Sequence, residues 1–108
     1  MKIDLHKHLE TMRDVGPLFA QAKAQRIYLE ESLRSIKALE AARSKAQSVA
    51  QRELDAYASP TYVQALEGLK VAVEQEETYR WQLITAQAAV ESWRSLEASN
   101  RALDKGAA

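Results

Sequence analysis

Asp4, His6 and His8 are the side chains best suited to hold a metal or move a proton, and they crowd the start of the chain. The two histidines lie two residues apart, which puts them on opposite sides of a helix; only an extended segment turns both the same way. Metal sites on helices use spacings of three or four, and no third strong ligand stands nearby. Glu74, Glu76 and Glu77 form a second cluster, but a dinuclear carboxylate site in a bundle needs Glu-x-x-His pairs and no histidine follows Glu76. No Gly-rich phosphate loop, nucleophile elbow, catalytic triad or cofactor fingerprint occurs. The expectation is a chain without catalytic, metal or cofactor-binding residues, hence not an enzyme.

Binding chemistry is better represented. Arg80, Trp81, Arg94, Arg101 and Lys105 give the last third of the chain a basic and aromatic character. Trp and Arg anchor protein interfaces, and together they also stack on single-stranded bases. Nucleic-acid contact through these five residues is therefore the alternative to protein–protein contact. Against it, Lys plus Arg equals Asp plus Glu at 15 each, so the net charge is zero and no dense basic stripe is available. Glu30 with Arg34, Glu76 with Arg80 and Glu97 with Arg101 have the favourable i,i+4 order, which accounts for much of the charge as helix-surface pairs.

The elements that must position these residues are legible from the breakers. Pro17 and Pro60 are the only prolines in 108 residues. Ala, Leu, Gln, Glu, Lys and Arg fill the runs between and after them, and β-branched residues are sparse, which predicts an all-α fold. Ser59-Pro60 reads as a helix start, with a capping hydroxyl followed by a residue suited to the first helical position. Asp14-Val15-Gly16-Pro17 reads as an interruption. One domain, 1–108, is expected: a short N-terminal helix within 1–15, a first long helix over 17–58 and a second over 60–104, with Gly106 as the stop. The architecture is a long antiparallel helical hairpin of coiled-coil type.

Heptad-like rows support the pairing. Tyr62, Leu69, Glu76, Leu83, Val90 and Glu97 make one row of the second arm, and Ala65, Ala72, Tyr79, Ala86 and Trp93 fall on the next. A turn at residues 58–60 sets Tyr57 beside Tyr62 and brings Arg43 beside Glu76, a charged pair expected to fix the register. Leu66, Val73 and Ile84 widen the apolar stripe beyond one seam, and Trp81 lies off it. These four residues are the expected self-association surface. A hairpin with so little self-burial calls for association, most simply a homodimer forming a four-helix bundle, with a partner from another protein as the other route. The chain has no cysteine, no apolar run near the roughly 20 residues that span a bilayer and no hydrophobic leader, so no membrane partner and a cytoplasmic address are expected.

Ala56-Tyr57-Ala58-Ser59-Pro60-Thr61-Tyr62, Arg80-Trp81, Glu91-Ser92-Trp93-Arg94-Ser95 and Asn100-Arg101-Ala102 resemble small helical proteins of temperate phages and prophages. The resemblance covers roughly the C-terminal half. It implies an accessory role, through protein–protein contacts or near DNA recombination and packaging, and carries no catalytic or binding residue with it.

Overall fold

Three helices follow one another in a computed structural model that describes residues 2–107. They are α1 (Leu5–Arg43), α2 (Val49–Ala58) and α3 (Pro60–Ala107). No strand occurs among the described residues. The protein is all-α, a helical hairpin whose long arms are α1 and α3. Contacts group it into two compact units, one of Met1–Ala20 with Glu77–Ala108 and one of Gln21–Glu76. In each, a stretch of α1 lies against a stretch of α3.

The terminal unit starts at a cap. The Lys7 amide donates to Asp4 Oδ1 at 3.1 Å and the His8 amide to Asp4 O at 3.4 Å, so Asp4 serves the free N–H groups of α1. The expected break at Gly16-Pro17 is absent: α1 runs straight through Pro17 as one helix. An interior proline costs about 3 kcal/mol, chiefly for one lost hydrogen bond and one clash. Met12, Val15 and Phe19, on both sides of it, are all half-buried, and their packing holds the helix together across it. Ala86 and Val90 are the buried residues of α3 here. Gly106 does not stop α3, which continues to Ala107.

The middle unit holds the break that the sequence reading placed elsewhere. The first long arm does not reach residue 58; α1 ends at Arg43 and α2 begins at Val49. Hydroxyl groups stabilise the connection. Ser44 Oγ donates to Asp55 Oδ2 at 2.6 Å and accepts from the Ala46 amide at 3.2 Å. Ser48 caps α2 by accepting from the Gln51 amide at 3.1 Å, and Arg52 Nε donates to Ala46 O at 2.7 Å. Ser and other short polar residues favour such local bonds over continued helix. The break after α2 is where the sequence put it: Ser59 Oγ accepts from the Tyr62 amide at 3.2 Å, and Pro60 opens α3.

Relocating the break changes the register. Arg43 does not meet Glu76; its guanidinium bonds Glu40 at 3.2 Å on its own helix. Glu76 is bound instead by Arg26, roughly five turns back along α1. The Tyr57–Tyr62 neighbourhood expected at the turn is present, as an edge-to-face pair with ring centroids 5.3 Å apart. Ala22, Ala56 and Ala72 are the buried apolar residues of this unit. A seam made of alanines lets helix axes approach closely but buries little apolar area.

Candidate functional site

In the terminal unit, α1 and α3 leave a groove of roughly 630 Å³ between them. Lys7, His8 and Thr11 form the α1 wall, and Glu77, Thr78, Trp81, Gln82, Thr85 and Ala86 the α3 wall. A second hollow of roughly 400 Å³ shares Lys7 and His8 and reaches Ala89 and Ser92, with Lys2, Ile3 and Asp4 opposite. Trp81 stands at the rim with 57 % of its surface exposed. The Arg80 guanidinium lies 5.3 Å from the Trp81 ring centroid and is held by Glu77 at 3.0 Å, so the indole is braced from its own helix. Thr78, Thr85 and Ala86 give the floor small uncharged side chains, Trp81 forms an edge, and Lys7 and Glu77 place one charge of each sign on the walls. Such a concavity accepts another helix or an extended apolar segment rather than a polar substrate.

The expected self-association residues divide between the units. Leu66 and Val73 are exposed on the middle unit, at 47 % and 38 % of their surface. Trp81 is exposed on the terminal unit, where Ile84 is only half-buried. The middle unit also has a hollow of roughly 340 Å³ lined by Glu30, Leu33, Lys37, Tyr57, Tyr62 and Leu69. Lys37 Nζ lies 4.5 Å from the Tyr57 ring centroid there.

The polar candidates are tied to neighbours. Arg94 bonds Glu91 at 2.9 Å, as Arg80 bonds Glu77, so two of the five expected nucleic-acid contacts have a carboxylate one turn away. These two pairs form at i,i+3. Arg101 and Lys105 are exposed on the last turns of α3, with Asp104 between them. Glu76 receives two guanidinium bonds from Arg26, whose Nη1 also reaches Glu30 at 3.0 Å; the Glu76 and Glu30 bonds push the Arg26 pKa above its ordinary value. The hydroxyl of Ser44 and then the amide of Gln51 hold the Asp55 carboxyl below its ordinary 3.8. His6 lies 3.0 Å from Glu10, and no three histidine, aspartate or glutamate side chains converge as a metal set among the described residues.

Of the α3 groove residues, the sequence points to Trp81 but not to Thr78, Gln82 or Thr85. Thr78, Gln82 and Thr85 score as neither apolar nor charged, so a search for apolar stripes passes over them. The usable signal is the absence of charge at helical spacing. Among the described residues no helix is long and apolar enough to cross a membrane. No family model, curated protein or solved structure matches the chain.

Proposed function

We propose that this is a non-enzymatic, oligomeric helical-hairpin protein that works by protein–protein association or assembly. One observation carries the reading. The chain exposes 8147 Å², against about 6,000 Å² for a compact monomer of its mass of 12.1 kDa. The surplus of about 2,000 Å² exceeds the ~800 Å² per partner that a standard interface takes. It is also apolar in the right places, since both units expose large side chains, among them Leu66, Val73, Trp81 and Leu96. A core made mostly of alanines offers little stabilisation, so covering those side chains is the larger available gain.

Association is better supported than nucleic-acid binding because Arg80 and Arg94 already carry carboxylate partners, and phosphate would have to displace them. An accessory role in a temperate phage or prophage is the setting that fits a small assembly protein of this composition. Light scattering on a sizing column, over a range of concentration and from low to high salt, tests the proposal. The expected result is a dimer or larger oligomer whose mass does not fall with salt. A monomer at every concentration overturns it.

A further inference from the structure

The face of α3 that floors the groove continues past it. From Thr78 to Leu103, residues at alternating spacings of four and three form one stripe, and none of them is charged. The charges in this stretch, Arg80, Glu91, Arg94, Glu97 and Arg101, all fall at other positions of the heptad. The first half of the stripe is small or slender, with Thr78, Thr85 and Ala89 lining the hollows against α1. The second half projects. Leu96 is 45 % exposed, Leu103 is 71 % exposed, and every residue from Ala98 to Gly106 is exposed.

A chain that carries holes at one end of a stripe and knobs at the other is complementary to itself in the antiparallel sense. We propose that the terminal unit dimerises through α3, antiparallel to α3 of a second copy, about a two-fold axis passing between Val90 and Glu91. This rests on the association reading above and names its partner and register. In that register the partner's Leu96 lies opposite Thr85 and the partner's Leu103 opposite Thr78, so both leucines enter the groove. Ala89 meets the partner's Ser92 beside the axis, where small side chains let the two backbones approach. Trp81 at the rim falls opposite the partner's Asn100. The two outer leucine layers set a large side chain against a smaller one, and the layer at the axis sets small against small.

Two physical arguments select a second copy as the occupant. A two-fold interface must be self-complementary, and this stripe maps large onto small under reversal of direction. The exposed surplus of about 2,000 Å² per chain also exceeds what such an interface consumes. The exposed end of α3 gains a partner in the same step; a free helical segment of fewer than about 15 residues is marginal by itself.

The chain has no cysteine, so single-cysteine variants report the register directly. Ala89→Cys and Ser92→Cys proteins are mixed, oxidised and compared with each oxidised alone. The mixture is expected to form the disulfide-linked dimer in clear excess over either variant alone, because only unlike positions face each other. Leu96→Glu is expected to weaken dimerisation about 100-fold, through one buried leucine lost per copy. Circular dichroism checks that its helix content is retained, and Leu103→Glu, at a more exposed site, serves as a second variant. If the unaltered protein is a monomer, the association reading and this pairing both fall. If it is dimeric but the mixture shows no excess crosslink, or both glutamate variants still dimerise, this pairing falls and association stands.

Discussion

Glu76 is the one buried charge among the described residues, at 8 % exposure, so the effect of breaking its ion pair depends on which partner is removed. Arg26→Ala leaves a carboxylate buried without its two guanidinium bonds. Glu76→Ala leaves an arginine that still holds Glu30 at 3.0 Å and reaches solvent. Stranding a buried charge is the costlier change. Thermal unfolding should therefore show Arg26→Ala lowering Tm by more than about 5 °C, with Glu76→Ala lowering it less and Arg43→Ala hardly at all. Equal losses for all three would mean that the pair does not set the register. Asp55 gives a pH-dependent counterpart. Folding depresses its pKa through Ser44 and Gln51, so its bonds stabilise the fold above the unfolded pKa and lose that effect as pH falls through the folded one. The tie is intact at neutral pH and loosens only below about 4. Exchange of the Ala46 amide, corrected for the intrinsic rate, should accelerate below that pH in the unaltered chain. In Asp55→Asn it should already be fast at pH 6.

Along the elements, α1 tolerates what should break it and α3 carries what should weaken it. Gly68 lies inside α3 with no left-handed backbone angle, and nothing within 4 Å of where a Cβ would stand. Gly68→Ala should stabilise the protein by about 1 kcal/mol, read by chemical denaturation. A loss instead of a gain would mean that another chain packs against that glycine. The same two helices show how far the sequence could be read. Ser59-Pro60 was legible because a capping hydroxyl and an N1 proline act together over two adjacent residues. Gly16-Pro17 was misread because a proline's cost is local and fixed, whereas the packing of Met12, Val15 and Phe19 that outweighs it is tertiary. The break at Ser44–Ser48 contains neither Gly nor Pro. Its signal is Ser48-Val49-Ala50-Gln51, the S-x-x-Q pattern of a helix start, reinforced by a Ser44–Asp55 bond that spans eleven residues and is invisible to any short window. Once that break moved, the Arg43–Glu76 register moved with it. The α3 groove was hidden for another reason: its threonines and glutamine matter through the charge they lack.

At the scale of the whole molecule, the decisive quantity is how strongly folding depends on a second copy. Among the described residues, alanines make up most of the buried apolar set and no large side chain is fully buried. A lone chain therefore gains little from its own packing, while the exposed leucines and tryptophan gain from being covered. If folding and association are coupled in this way, stability must rise with concentration by mass action. Each tenfold increase adds about 1.4 kcal/mol per dimer, which for two chains of this length raises Tm by about 3 °C. Calorimetry from micromolar to millimolar protein should show that slope in the unaltered chain and lose it in Leu96→Glu. The slope should persist at high salt, because the paired stripe holds no charge, whereas an interface built from Arg94, Arg101 and Lys105 on a polyanion would lose affinity steeply. A Tm that stays flat over the whole concentration range would place all of the stability inside one chain, and the uncovered surface would then need a function other than self-assembly.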